Sequence, residues 1–530
     1  MTESTALGSR AASGASTTAE LVAALSLAGD MGIGLPLEHC LRTCYISLHI
    51  AARLGLDADT REDVFWAALL KDSGCTSFTT QIAAFVNGDE MEARRQFLYA
   101  DAGKVRDVME WALAYVGARS APLARAGQLM DFMANGRDFF HEGFQSAVEV
   151  AQRIATRLEM RPSVCQVLGT IFERWDGKGL PRGLRGEAIP IAARVVYAST
   201  YFDVFSRLGG PDAARKVGLA RRGTAFDGAI VDAFLHVAAL PGFWGPLEGE
   251  SILETVLALK PGKPAAPAEE PALDAMALAF ADFVDMKSHY LAGHSRRVAG
   301  LACGLGRRLK LPAAEVAVLN RAALMHDAGF VAVPSFTVNR RPEERSRPDQ
   351  DAIRLHPQYA ETMLRPAPAL AREKAMVGSH HERPDGAGYR GLGWDDVPLG
   401  ARIIAAADQF DELTHDQLGM LAIEPEAALT YLRREAGTSL DPDIVRLLVD
   451  ELGAPSTPSA ARAPLPAGLT DREVEVLRLL SRGMNRREVA KALVISDATA
   501  RHHLEHIYDK IGVTTRVGAV LFAMEHDLLA

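Results

Sequence analysis

Three short motifs occur twice along this chain, both times in the same order, and no other feature constrains the fold as strongly. Leu69-Leu70-Lys71-Asp72-Ser73-Gly74 aligns with Leu324-Met325-His326-Asp327-Ala328-Gly329. Ile171-Phe172-Glu173-Arg174-Trp175-Asp176-Gly177-Lys178-Gly179-Leu180 aligns with His380-His381-Glu382-Arg383-Pro384-Asp385-Gly386-Ala387-Gly388-Tyr389, and Ile189–Arg194 aligns with Val397–Arg402. Ordered matches of this kind mark a duplicated domain. Apolar residues recur at three- and four-residue spacing, as at Val298, Leu301, Ala302, Leu305 and Leu309, and strand-like alternation is scarce. The expected fold class is all-α, with tandem helical domains.

A chain of 530 residues exceeds one hydrophobic core. Two Pro/Ala-rich segments divide it, one around Lys260–Pro271 and one from Ala454 to Gly468. Neither can bury an apolar face, so both read as linkers. The expected boundaries are a disordered Ser/Thr/Ala/Gly-rich tail over 1–18, a domain over 19–259, a linker over 260–273, a second domain over 274–453, a linker over 454–467 and a C-terminal domain over 468–530. No run reaches the roughly 18 apolar residues that a membrane span needs, and the start lacks the pattern of a secretion signal. A cytoplasmic protein without a membrane partner is expected. The five cysteines form no C-x-x-C pair, so Cys40 and Cys44 read as small core residues. With a net charge of −9, any contact with nucleic acid must be local.

The C-terminal stretch supplies such a place. Thr470-Asp471-Arg472-Glu473 is a capping box, followed by the buried face Val476, Leu477 and Leu480. Asn485 opens a second helix carrying Val489 and Leu493. After a tight turn, Ser496 caps a third, with Leu504, Ile507 and Ile511 inside and Gly512 at its end. A fourth is expected from Thr515 to His526. This order of two short helices, a turn and a longer helix is a helix-turn-helix. The segments L-T-D-R-E-V-E-V-L-R-L-L, V-A-K-A-L-V-I-S-D-A-T-A-R-H-H-L and I-G-V-T-T-R resemble the LuxR-type family of transcription regulators. The resemblance implies that the third helix enters the major groove of double-stranded DNA. Thr499, Arg501, His502 and Glu505 would then lie on the DNA-binding face, with Arg486 and Arg487 on phosphates. For His503 and His506 a surface or partly packed role is equally open. From Leu469 onward nine basic residues meet nine acidic ones, so one module alone has little counterion-release drive. A homodimer joined through the fourth helix is expected.

The second repeat concentrates metal-ligating side chains: His294, His326, Asp327, His356, His380, His381 and Asp408. Imidazole with carboxylate suits Fe, Mn, Zn, Co or Ni, and a shared aspartate can bridge two such ions. The motifs H-S-R-R-V-A, L-M-H-D-A-G, H-P-Q-Y-A, H-H-E-R-P-D-G-A-G-Y and A-A-A-D-Q-F-D resemble the HD-GYP family of metal-dependent phosphohydrolases, which commonly cleave cyclic di-GMP. The resemblance implies one divalent ion on His294, His326 and Asp408, and a second on His356, His380 and His381. Asp327 would bridge them, and His326 and Asp327 would be the catalytic pair. Arg390 and Arg402 would serve the substrate. Two positions depart from the family. Phe330 stands where a lysine is usual, and Gly388-Tyr389 runs straight into Arg390 without the proline.

In the first repeat Lys71, Ile171, Phe172 and Thr200 replace ligands, while His39 and Asp72 remain. His141 is a loose counterpart of His356. A charged lysine has no lone pair for a metal, so this copy is expected to be metal-free and to serve packing, dimerisation or a regulatory ligand. The chain therefore reads as a DNA-binding regulator whose second HD-type domain senses or hydrolyses a cyclic dinucleotide or another phosphorylated molecule. A metal-dependent phosphodiesterase with an accessory DNA-binding tail is the alternative, and a pair of silent scaffold domains a third reading.

Overall fold

In the computed structural model, residues 16–249, 251–262, 266–418, 420–453 and 465–529 are described. Among them every regular element is helical, and pairing between extended residues is limited to isolated bridges. The first compact unit runs to Met276 and takes in Pro334–Phe336 and Arg365–Pro368, and the second holds Ala277–Val333, Thr337–Leu364 and the chain from Ala369 onward. Two expected boundaries move. The first helix, α1 (Thr18–Ile33), is opened by a Thr17/Glu20 capping box, so residues 16–18 are folded, while 1–15 lie outside the described residues. Helix α6 (Glu270–Asp285) begins inside the expected 260–273 linker. Glu270 and Pro271 explain this, since an acidic residue and a proline both suit a first turn. Most of the second linker, 454–464, lies outside the described residues.

In the first unit α2 (His39–Arg53) and α3 (Ala58–Leu70) pack with α5 (Ile191–Arg221), which is broken at Gly209-Gly210. A long helix, α4 (Pro122–Arg157), lies between α3 and α5 in sequence. The second unit repeats the plan with α7 (His294–Arg308), α8 (Ala313–Met325), α9 (His356–Met363), α10 (Ala371–Val377) and α11 (Leu399–Thr414). Its C-terminal part consists of α12 (Asp471–Ser481), α13 (Arg486–Ala492), α14 (Asp497–Ile511) and α15 (Arg516–Glu525). The caps anticipated there are present. Thr470 and Asn485 form capping boxes, Ser496 and Thr515 accept from the first turns of α14 and α15, and Gly512 closes α14 in the left-handed region.

The two copies share internal struts. Glu173 accepts from the backbone of Arg182 and Leu184, and Glu382 accepts from Arg390 and Leu392. Arg174 grips Asp176 as Arg383 grips Asp385. The second loop is one residue shorter between glutamate and arginine, yet closes on the same carboxylate, so the lost proline is absorbed locally. The glycine of each Asp-x-Gly turn marks where chains touch. A Cβ on Gly74 would stand 1.9 Å from the Ala147 carbonyl oxygen, and one on Gly329 would stand 1.8 Å from that of His356. This pairing makes Ala147, not His141, the counterpart of His356.

Gly329→Ala is therefore expected to destabilise the protein by about 2–3 kcal/mol, because backbone rather than a flexible side chain must move. Gly300→Ala, on an open face of α7, is expected to be neutral or mildly stabilising. Urea unfolding midpoints of the two variants check the contrast, and equal midpoints would contradict it.

Candidate metal centre and nucleic-acid interface

Helix ends bring the histidines of the second unit together. His294 opens α7, His326-Asp327 follows α8, His356 opens α9, and His380 follows α10. Asp408 projects from α11. Their polar atoms converge in two groups. His294 Nε2 lies 3.3 Å from His326 Nε2, 3.2 Å from Asp408 Oδ1 and 3.5 Å from Asp327 Oδ2. His356 Nε2 lies 3.3 Å from His380 Nε2 and 3.3 Å from Asp327 Oδ1. One oxygen of Asp327 thus faces each group. His381 joins the second group, its ring stacked on Tyr389 at 4.5 Å.

Hydrogen bonding fixes the state of these rings. His326, His356 and His380 donate through Nδ1 to the carbonyls of Ala323, Ile353 and Val377 at 2.7–2.8 Å. His294 Nδ1 donates to Asp411 Oδ2 at 2.8 Å. In each neutral ring the Nε2 lone pair then points into the centre, where its neighbours are another lone pair and carboxylate oxygens. Asp408 Oδ1 is buried and has no hydrogen-bond donor among the described residues. Such a donor set repels itself unless a cation sits within it, and it fits divalent transition metals. Without that cation the carboxylates draw protons onto the rings. Burial opposes a charged His326, yet Asp327 and Asp408 push it up to about 10. Burial and the adjacent imidazoles hold His380 and His381 down.

The surroundings contain residues that sequence reasoning passed over. Asp411 ties His294 to Arg297, whose Nε and Nη2 donate to it at 2.8 and 2.9 Å. Burial raises the Asp411 carboxyl, but these cationic partners hold it at about 2. The A-A-A-D-Q-F-D motif contained this aspartate one helical turn after Asp408. Arg354 lies over the Tyr389 ring at 5.0 Å, and Arg345, on the segment before it, donates to the carbonyls of Arg340 and Val338. Nothing in the spacing of these two arginines pointed to the site.

Two expected substrate residues are occupied elsewhere. Arg390 pairs with Glu361 at 2.8 Å and donates to the Gly378 carbonyl. Arg402 donates to the carbonyls of Val397 and Trp394 and reaches Asp441 at 3.4 Å, so it braces its own loop. Both guanidinium groups are held by protein oxygens. Phe330, in the place of a lysine, stacks flat on the His356 ring with centroids 4.1 Å apart. It packs against that ring and offers a phosphate no charge.

In the first unit His39 Nδ1 meets Asp203 at 2.7 Å, matching His294 and Asp411. The Lys71 ammonium, however, is ion-paired with Asp72 inside the site. Asp30, Cys40 and Asp72 cluster there as well. Burial raises Asp30 to about 7 and the Cys40 thiol further, so the lysine is the cation this cluster accommodates.

On α14, Thr499, Arg501, His502 and Glu505 are all exposed along one face. Arg501 Nε donates to Glu505 at 2.8 Å, a solvent-screened surface pair easily exchanged for another acceptor. Arg486 is paired with Asp497 at 2.9 Å, while Arg487 is exposed. Val476, Leu477, Val489, Ile507 and Phe522 form the core beneath.

Comparison with known proteins agrees with this geometry. Residues 131–220 and 279–444 match the HD domain family, and residues 467–523 match the bacterial regulatory proteins of the luxR family. The 3'3'-cGAMP-specific phosphodiesterase 3 of Vibrio cholerae is 32% identical over 428 residues, covering 80% of this chain and 92% of that one. The chain belongs to the HD-domain family. A crystal structure of a cyclic GMP-AMP-specific phosphodiesterase of V. cholerae superposes with a TM-score of 0.60 at 29% identity, covering 83% of this chain and 99% of its own. The cyclic di-GMP phosphodiesterase response regulator RpfG of Xanthomonas campestris is 34% identical over 29% of this HD-domain protein and 40% of its own length. Among the described residues no helix is long and apolar enough to cross a membrane.

Asp411→Asn keeps the shape of the partner behind His294 but removes its charge. It is expected to weaken metal binding about 10- to 100-fold. Competition of the full chain against a chelator measures this, and unchanged affinity would contradict the role given to Asp411.

Proposed function

We propose that this protein is a DNA-binding transcription regulator whose second HD domain holds two divalent metal ions and senses or hydrolyses a cyclic dinucleotide. The observation that carries the reading is a carboxylate between two sets of buried imidazoles, in the same chain as a luxR-family module. One ion would rest on His294, His326 and Asp408, the other on His356, His380 and His381, with Asp327 between them. Such a pair, when bound, would supply a clamp for a phosphodiester and lower the pKa of water. The residues orient that pair through their Nδ1–H bonds, and Arg354, over the Tyr389 ring, is a nearby cation for phosphate oxygens. The cyclic dinucleotides named for the relatives are the first ligands to consider.

Within the second unit a route joins the two halves of this function. A Cβ on Gly483 would stand 3.2 Å from the His289 ring, and one on Gly293 would stand 3.7 Å from Leu529. The segment between them ends at His294, and Arg297 just beyond it holds Asp411. A ligand that binds better to one arrangement of this segment would bias how the DNA-binding helix is presented. In the reader itself, Arg501, His502, Thr499 and Glu505 would face bases, Arg487 a phosphate, and α15 would join a homodimer.

A second reading, a phosphodiesterase first and a DNA-binding protein second, is supported by the extent of the match to the V. cholerae enzyme. Turnover of 3'3'-cGAMP and cyclic di-GMP by the manganese-loaded full chain separates the two. Turnover lost in Asp327→Ala supports the enzyme. Metal and ligand binding without turnover supports a sensor, and failure to bind metal removes both readings in favour of a scaffold. Duplex selection with Arg501→Ala tests the reader, which predicts relaxed sequence preference and affinity reduced about 10-fold or more. An unchanged selected motif would contradict the placement of α14.

A further inference from the structure

In the first unit the place of the metal centre is a cavity of about 170 Å³. Its wall includes His39, Lys71, Asp72 and Thr200, which stand where His294, His326, Asp327 and Asp408 stand in the second copy. The remaining ligand positions are apolar, namely Ala147, Ile171 and Phe172, and they line the same space. The chain between Gly74 and Ala147 is much longer than that between Gly329 and His356, and its added helices contribute Phe97, Trp111 and Phe140 to the lining. A site built to hold ions has become an aromatic chamber.

Two polar atoms in that chamber are unanswered. His39 is fully buried, and its Nε2 has no hydrogen-bond partner among the described residues. Because Nδ1 donates to the Asp203 carboxylate, Nε2 carries a lone pair and can only accept. Burial, reinforced by the Lys71 charge, keeps the ring neutral. Ser77 Oγ is buried, lines the same space and is likewise without a partner among the described residues. A buried acceptor left unpaired is destabilising, and a ligand donor would recover that loss. The cations on the wall already have protein partners. Lys71 is paired with Asp72, and Arg94 donates to the Gly32 carbonyl at 3.1 Å.

We propose that the first HD copy binds a small uncharged aromatic molecule bearing one hydroxyl or N–H, which donates to His39 Nε2 and meets Ser77 Oγ. The size is appropriate, since an apolar protein cavity of about 150 Å³ takes up benzene. Rings then pack against Trp111, Phe97 and Phe172, and the single donor sets the orientation. The first copy would thus be a receptor for an apolar signal, carried on the same chain as the metal centre.

Phenol, toluene and benzoate are the probes, titrated calorimetrically into the full-length protein. Phenol is expected to bind, toluene at least 10-fold more weakly, and benzoate not at all. His39→Phe keeps a ring but removes the acceptor, and should bring phenol down to the level of toluene. Thr200→Phe fills the chamber and should abolish binding of both. No binding of phenol to the wild type, phenol and toluene binding equally, or benzoate binding best would each overturn the proposal. So would phenol binding that survives Thr200→Phe, which would place the probe elsewhere. The wild-type comparison stands on its own if either variant fails to fold.

Discussion

The second HD copy is organised around the Asp327 carboxylate, each oxygen of which faces one group of buried imidazoles. The Nδ1 atoms of four rings are committed to backbone carbonyls or to Asp411, so their Nε2 atoms have no freedom to serve as donors when neutral. Burying four lone pairs and two carboxylates against one another is costly without a cation. The positions of α7, α8, α9 and α11 all follow from holding those ends together. The close approach of Gly329 to the His356 carbonyl is the backbone counterpart of the same requirement.

Duplication shows which parts of this arrangement are frame and which are chemistry. Both copies keep the glutamate that gathers the loop amides, the Arg–Asp grip on the turn, and the histidine–aspartate pair at the start of the second helix. What changed in the first copy is the set of atoms pointing inward. Replacing His326 by Lys71 puts a fixed positive charge beside Asp72, which does the electrostatic work of a metal without its chemistry. Apolar side chains, Ala147, Ile171 and Phe172, occupy the positions of the second group.

Much of this was legible in the sequence, for identifiable reasons. Histidine and aspartate in ordered, repeated motifs are scarce enough to mark the ligands. Caps such as Thr470, Asn485, Ser496 and Gly512 are local, so their geometry follows from neighbouring residues alone. Long-range partners were not legible. Arg390 and Arg402 carry the right charge for a phosphate, and nothing in the sequence showed that Glu361, Asp441 and several carbonyls engage their donors. His141 drew attention by residue type, whereas Ala147 occupies the structural position. Arg354 reaches the Tyr389 ring from the end of the helix Arg347–Arg354 that precedes α9, which no spacing rule encodes. Helix α6 started earlier than composition suggested, because proline that discourages a helix interior is welcome in its first turn.

The central claim is that Asp327 bridges two ions. Anomalous diffraction from crystals of the manganese-loaded full chain tests it most directly. Two peaks about 4 Å apart, one beside His294, His326 and Asp408 and the other beside His356, His380 and His381, are expected with Asp327 between them. A single peak, or metal bound away from Asp327, would contradict the account.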